Sequence, residues 1–343
     1  MSHLDGKNIL VTGGTGSFGK HFIRSVLRDH HPERLIVFSR DELKQSEMQS
    51  APAFSAPCMR YFIGDVRDPD RLRRAMERVE VVVHAAAMKQ VPIAEYNPFE
   101  AIRTNVIGGQ NVIEAALDAG VERVIALSTD KAACPVNLYG ATKLCSDKLF
   151  VAANAYAGVR RTRFSVVRYG NVFGSRGSVV PLFLAQKSSG VLSITDSRMT
   201  RFWITLERGA AFVIECLADM VGGEIFVPKI PSMRMVDLAA AIAPAARLEI
   251  IGIRPGEKLH EVMIPEDDAR SALDVGDRYV VLPSVPWIEH GVWHARGRAC
   301  SEGFRYASDT NDRWLSAEEL GKMIAALDGS EAGAVAIERA AAA

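Results

Sequence analysis

The chain has 343 residues, carries 41 Lys plus Arg against 41 Asp plus Glu, and is 48% hydrophobic, so its formal net charge is zero. No global field draws it to nucleic acid or to an anionic membrane, and any anionic ligand has to be held by local donors. Five cysteines without a C-x-x-C pair argue against a disulfide framework or a zinc site and for a reducing, cytoplasmic setting.

The stretch 1–7 has no apolar leader and no run of about 18 apolar residues follows, so neither a secretory signal nor a membrane span is expected. Runs rich in Val and Ile then alternate with longer helical patterns, as in a parallel sheet covered on both faces. Residues 8–12 read as the first strand, 21–29 as a helix, and 34–39, 59–63 and 79–85 as the next three strands. Residues 99–119 read as a long helix, 121–128 as strand five, 140–157 as a helix and 163–169 as strand six. The sequence predicts an α/β chain with a doubly wound parallel sheet of the Rossmann type over 1–172. Shorter elements with Pro and Arg follow, and a smaller α/β lobe for substrate is expected over 173–328. It is expected to interleave with the first unit, because the apolar helical pattern near 206–220 suits packing back on the sheet. The Ala-rich stretch 329–343 is expected to fray.

Thr12-Gly13-Gly14-Thr15-Gly16-Ser17-Phe18-Gly19 follows the first strand and opens a helix. Gly13 permits the tight turn, Gly16 lets backbone approach a pyrophosphate, and Gly19 lets helix pack on strand, while the helix start offers N–H donors to phosphates. The nucleotide is expected to lie along Gly13, Thr15, Gly16, Ser17, Phe18 and Gly19. The second strand decides the ribose. Where NAD would call for an early acid, Ser39 and Arg40 arrive first, with Lys44 a turn later, which suits a 2′-phosphate. NADP is therefore favoured, although Asp41 leaves NAD open. Asp65 and Val66 are expected at the adenine, and Ala85 and Ala86 at the ribose and nicotinamide. Lys89 is expected in the cleft, and Asn105 is expected to be solvated or locally bonded.

Tyr139 and Lys143 stand four apart on one helix face, just after Ser128-Thr129-Asp130-Lys131. A phenol with an ordinary pKa of ~10 needs a neighbouring cation to serve as a base near neutrality. Lys143 is expected to supply it, so that Tyr139 takes a hydroxyl proton while hydride passes to a nicotinamide.

These features, with Thr129, resemble the extended short-chain dehydrogenase/reductase family over nearly the whole chain. Within it, Thr129-Asp130-Lys131, Asn137-Leu138-Tyr139-Gly140-Ala141-Thr142-Lys143, Arg168-Tyr169-Gly170-Asn171-Val172 and Gly174-Ser175-Arg176-Gly177-Ser178-Val179-Val180-Pro181 resemble the inverting UDP-N-acetylglucosamine 4,6-dehydratases of pseudaminic acid synthesis. So do Ser39-Arg40-Asp41-Glu42-Leu43-Lys44-Gln45, Met199-Thr200-Arg201-Phe202-Trp203-Ile204 and Arg254-Pro255-Gly256-Glu257-Lys258-Leu259-His260-Glu261. The resemblance implies oxidation at C4 of the sugar, loss of water across C5 and C6, and hydride return to C6. Lys131 would be the base at C5 if burial or cations lower its pKa, and Asp130 the acid at the C6 hydroxyl if its own is raised. Thr129, Tyr139 and Lys143 would serve the redox step. A 4-epimerase or a C5-retaining dehydratase would use the same Tyr139 and Lys143, and a non-catalytic nicotinamide-binding regulator would need none of these groups together.

The resemblance also places Asn171, Ser178, Val179 and Thr195 near the nucleotide sugar, and Arg201 and Arg254 toward the pyrophosphate, with Met199 and Glu257 in the same motifs. It implies a UDP-sugar as ligand, no metal, and a homo-oligomer, with a hexamer as the suggested size. Cys134 stands where this family usually has Asn before the proline, and Cys145 is also a departure; both are expected to pack as small residues without thiol chemistry.

Overall fold

The computed structural model describes residues 3–158, 160–175, 177–283 and 291–328. Arg176 and the Ala-rich stretch 329–343 lie outside the described residues.

Six strands make the centre, β1 Asn8–Thr12, β2 Arg34–Ser39, β3 Met59–Ile63, β4 Val81–His84, β5 Arg123–Thr129 and β6 Arg163–Tyr169, and all but the edge strand β3 are largely buried. They pair in parallel in the order β3-β2-β1-β4-β5-β6, the doubly wound arrangement. Helices α1 Ser17–Asp29, α2 Glu42–Ser50, α3 Pro69–Ala75, α4 Val91–Tyr96, α5 Pro98–Ile102, α6 Gly108–Ala119 and α7 Leu138–Tyr156 cross between or cover the strands. The long helix expected over 99–119 is real but not uniform. Its middle, Arg103–Ile107, winds as a π-turn between α5 and α6, a local widening common at functional sites.

The second half contains β7 Asn171–Val172, α8 Val179–Gln186, β8 Val191–Ile194, β9 Thr200–Ile204, α9 Leu206–Asp219, β10 Ile225–Pro228, β11 Ser232–Arg234 and α10 Met235–Ile242. It continues with β12 Arg247–Ile250, β13 Val262–Ile264, α11 Glu266–Ala269, β14 Ala272–Asp274, β15 Arg278–Val281, α12 Gly291–Arg296, β16 Arg298–Ala299, β17 Tyr306–Ala307 and α13 Ala317–Asp328. Helix α9 lies against the sheet, where it packs beside α1. The expected lobe boundary needs correction, however, because β10 pairs in parallel with β6, and β15, β14 and β16 extend the same sheet antiparallel. Those strands are short, so their apolar runs carry too little periodicity to be assigned from sequence. The lobe proper is the sheet β11-β9-β7, the parallel pair β8 and β12, and helices α8, α10 and α13 around a core that includes Phe173, Phe183, Met199, Trp203 and Leu238. Pair β13–β17 sits where lobe and sheet meet, with β13 against the turn that follows β5.

Candidate active site

Strands β1, β2, β4 and β5 all end on one edge, so their C-terminal loops converge on a crevice, where open α/β sheets hold their ligands. After β1 the chain turns at Gly13, with φ at +66°, and a Cβ there would stand 2.9 Å from the Ala86 amide nitrogen. Thr12 ties the turn to β4: its Oγ1 accepts from the Ala85 and Ala86 amides, each at 3.2 Å, and lies 2.8 Å from His84 Nδ1. At Gly16, the N-cap of α1, no side chain caps the helix start. Thr15, Ser17 and Phe18 therefore flank a run of backbone donors of the kind a pyrophosphate takes. The residues present fit a dinucleotide.

At the end of β2, Ser39 is buried and its Oγ accepts from Gln45 Nε2 at 3.0 Å. Arg40 keeps 61% of its side chain exposed, with Nη1 3.5 Å from Asp65 Oδ2. Asp41 is committed elsewhere: it is the N-cap of α2, accepting from the Lys44 amide at 3.0 Å and pairing with the Lys44 ammonium. Those bonds hold its carboxyl below the usual range. Val66 is buried, and its carbonyl accepts from Asn111 Nδ2 at 3.0 Å.

Asn105 corrects its expectation. It is buried in the π-turn, accepts from the Met88 amide at 2.8 Å, and donates to the Met88 carbonyl and Thr142 Oγ1 at 3.0 Å each. It thereby fixes the loop after β4 that carries Ala85, Ala86 and exposed Lys89 to the helix that carries Tyr139.

The residues expected to be catalytic follow β5. Asp130–Ala132 forms a single 3₁₀ turn with Thr129 as its cap, and Asn137 caps α7 by accepting from the Gly140 amide at 2.8 Å. The two turns press together so closely that a Cβ on Gly140 would fall 2.2 Å from the Lys131 carbonyl oxygen. Lys131 Nζ stands 3.1 Å from Asp130 Oδ1, 3.2 Å from Glu261 Oε1 and 3.4 Å from Asn171 Oδ1. The Thr129 hydroxyl donates to Asp130 Oδ1 at 2.9 Å. Asp130 is wholly buried and its Oδ2 has no hydrogen-bond partner. Burial pushes its carboxyl up despite the Lys131 ammonium, the state an acid needs. Lys131 behaves contrary to expectation. Burial lowers it, but the carboxylates of Asp130 and Glu261 outweigh burial and hold the ammonium well above the ordinary lysine value.

Burial likewise pushes the Tyr139 phenol up to about 12, against the pull of the Lys131 charge and of the Thr129 side chain beside it. Lys131 is thus a cation that bears on Tyr139. Lys143, expected in that role, is buried one turn on, with Nζ donating to the Leu127 carbonyl at 2.7 Å. Burial lowers Lys143, while Asp147 opposes the fall. Asp147 accepts from Ser128 Oγ at 2.8 Å and lies 3.3 Å from Arg168 Nη2. Neither this network nor His84, held down to about 3 by burial and by Lys143, was identified from sequence. Their only signal was a charged residue inside an apolar run.

The expected substrate residues are partly assembled. Asn171 reaches Lys131 directly. Arg201 spends its donors on three backbone carbonyls, those of Thr200 at 2.7 Å and of Leu259 and Lys258 at 3.0 Å each, with Nε 3.8 Å from Glu261 Oε1. Met199 is buried, with Sδ 2.8 Å from Thr195 Oγ1 and 3.3 Å from Arg201 Nη2. Ser178 caps α8 just before Val179, and its buried Oγ has no hydrogen-bond partner. Arg254 is exposed on the loop before β13, where Glu257 Oε2 accepts from its amide at 3.3 Å. Lys258 Nζ donates to the Ala133 carbonyl at 2.6 Å. Glu261, quoted in a motif but given no role, is the buried partner that sequence reasoning missed.

Among the described residues no His, Cys, Asp and Glu cluster is fit to hold a metal ion, and no helix is long and apolar enough to cross a membrane. Residues 9–283 match the family model described as polysaccharide biosynthesis protein. The chain is 57% identical over 326 residues to a UDP-N-acetylglucosamine 4,6-dehydratase (inverting) of Campylobacter jejuni subsp. jejuni serotype O:2, covering 93% of this chain and 97% of that one. It is 38% identical over 331 residues to a UDP-glucose 4-epimerase of Rickettsia canadensis, covering 94% and 96%. Among solved structures, Pen from Bacillus thuringiensis superposes with a TM-score of 0.86 at 37% identity, over 95% of this chain and 99% of that one. A double mutant of the dTDP-glucose 4,6-dehydratase DesIV from Streptomyces venezuelae, solved with NAD, gives 0.64 at 25% identity, over 74% and 86%.

Proposed function

This chain belongs to the polysaccharide biosynthesis protein family, on the extended short-chain dehydrogenase/reductase fold, and we propose that it is a UDP-N-acetylglucosamine 4,6-dehydratase that inverts C5. The observation that carries the reading is the buried Asp130 beside Lys131 and Tyr139 at the end of β5. An epimerase has no use for an acid at C6 and a base at C5, and this chain has both next to its redox tyrosine.

A nicotinamide cofactor bound at the glycine turn would take hydride from C4 of the sugar and return it to C6. Tyr139 takes the proton of the C4 hydroxyl, and the ketone formed there acidifies C5–H. Lys131 removes the C5 proton as the free amine, so its ammonium proton has to leave first. Asp130, kept protonated by burial, gives its proton to the departing C6 oxygen, and water is lost. As hydride returns to C6, a proton from solvent adds to C5 on the face opposite Lys131, which balances the protons taken by Tyr139 and Lys131 against the one given by Asp130 and completes the inversion. The product is a UDP-2-acetamido-2,6-dideoxy-L-arabino-hex-4-ulose, the substrate class that a later step of pseudaminic acid synthesis would take.

Ser39 and exposed Arg40, with Asp41 occupied as a helix cap, support NADP over NAD. Asn171 and the Ser178-Val179 start of α8 are the sugar-nucleotide side of the cleft. The exposed Tyr96 and Phe99, at 88% and 75%, support assembly as a homo-oligomer, with a hexamer as the proposed size, and the free cysteines fit the cytoplasm. Incubation with UDP-N-acetylglucosamine and NMR of the product tests the activity. A 4-keto-6-deoxy sugar supports it, and a C4 epimer that keeps its C6 hydroxyl overturns it.

A further inference from the structure

Glu261 ends the loop before β13, and its backbone is fixed on both sides. Its amide donates to Ser308 Oγ at 2.9 Å, and its carbonyl accepts from the Ser308 amide at 2.8 Å. Its carboxylate is 2% exposed and points at Lys131, yet Oε2 accepts no hydrogen bond. Arg201 Nε, at 3.8 Å, and Lys258 Nζ, at 3.9 Å, face it from β9 and from its own loop. The groups around Lys131 are therefore Asp130 on its own turn, Glu261 before β13, Asn171 on β7, the Tyr139 phenol on α7, and Arg201 and Lys258 behind Glu261. Three cations (Lys131, Arg201, Lys258) share two carboxylates (Asp130, Glu261), and the three cannot all stay charged at no cost in a site this dry. Of the three, Lys131 also abuts Asp130 and the redox tyrosine. Burial holds Asp130 toward its neutral form and lowers Lys258, so Glu261 is the carboxylate that meets these cations, and a proton that leaves Lys131 relieves the excess of positive charge around it.

We propose that Glu261 is a positioning residue for the elimination step, holding Lys131 against Asp130 and governing when that amine gives up its proton. This rests on Lys131 as the base at C5. The geometry explains how a lysine held as ammonium in the resting enzyme serves as a base. Its charge is set by Asp130 and by Glu261 together, the second restrained by Arg201 and Lys258, and not by burial alone.

The test uses the full chain with Glu261→Gln and Glu261→Asp, each checked for folding by thermal melt. Acetylation of Lys131 by trace acetic anhydride across pH, read by peptide mass spectrometry, reports when the amine becomes free, independently of turnover. In Glu261→Gln the Lys131 labelling midpoint is expected to fall by about 1–3 pH units, the size of losing one opposite charge at this range. The low-pH limb of kcat should move down with it, while the single-turnover rate of C4 oxidation holds. Glu261→Asp, which keeps the charge but retracts it, should lie between. An unchanged labelling midpoint in folded Glu261→Gln overturns the proposal, as does a shifted midpoint with an unmoved kcat limb. A shifted midpoint in an enzyme whose wild type yields no 4-keto-6-deoxy sugar upholds Glu261's hold on the amine and overturns the dehydratase reading instead.

Discussion

Replacing Lys131 by Met keeps much of the side-chain volume and removes one atom group, the Nζ that lies 3.1 Å from Asp130 and 3.2 Å from Glu261. Two buried carboxylates then face each other without their shared cation. Removing one partner of a buried pair costs about 3–5 kcal/mol. Lys131 retains 25% exposure and Asp130 already favours its neutral form, so the low end, about 3 kcal/mol, is expected in stability. Catalysis suffers separately. A positioned base contributes about 10²–10⁴-fold, or about 2.7–5.4 kcal/mol of barrier, and that loss should fall on removal of the C5 proton alone. The assay is a single turnover with UDP-N-acetylglucosamine, following nicotinamide absorbance for C4 oxidation and NMR for the deoxy sugar. Reduced cofactor should build up while product formation falls by at least about a hundredfold. Product at the wild-type rate, or loss of oxidation together with elimination, would refute the division of labour between Lys131 and Tyr139.

Tyr139→Phe should stop oxidation and elimination alike, by about 10²–10⁴-fold, with an unchanged thermal melt; oxidation at near wild-type rate would exclude Tyr139 as the C4 base. Arg40→Ala should weaken NADP by about ten- to a hundredfold, the value of one charge-assisted bond at ~1.5–3 kcal/mol, and leave NAD unaffected in a titration of cofactor fluorescence. Cys134 occupies the left-handed region at φ +49°, where Asn is more at ease, so Cys134→Asn should raise stability by about 0.5–1 kcal/mol in denaturant unfolding, and Cys134→Ser should turn over fully. His84 is neutral in the folded chain, held down to about 3 by burial and Lys143. The unfolded chain therefore takes up a proton that the folded one refuses as pH falls from ~6.5 toward that value, and stability drops over this window. His84→Gln should flatten that part of the pH–stability curve.

The central strands were legible because a strand buried on both faces writes a near-continuous apolar run, and the glycine turn because it sits between a strand and a helix. Helices α2 and α3 were not, since only Gln45 and Met48 are buried in the first, and each begins on an Asp cap with little apolar rhythm to reveal it. The grouping of Asp130, Lys131 and Tyr139 was legible, since they are near in sequence as well as in space. Its electrostatics were not readable. The charge on Lys131 depends on Glu261, 130 residues away along the chain and 3.2 Å away in space. Lys143 was assigned from its spacing to Tyr139 together with the glycine turn and Thr129, and these fix a helix face but not the carbonyl at its tip. Asn105 was placed on the right helix, but the π-turn that aims it at Met88 leaves no mark in a one-dimensional pattern.

The most direct measurement is turnover of UDP-N-acetylglucosamine in deuterated water, with the product read by NMR. The account predicts a 4-keto-6-deoxy sugar that carries solvent deuterium at C5 in the inverted configuration. A product with C5 retained, or a sugar with its C6 hydroxyl intact, would contradict it.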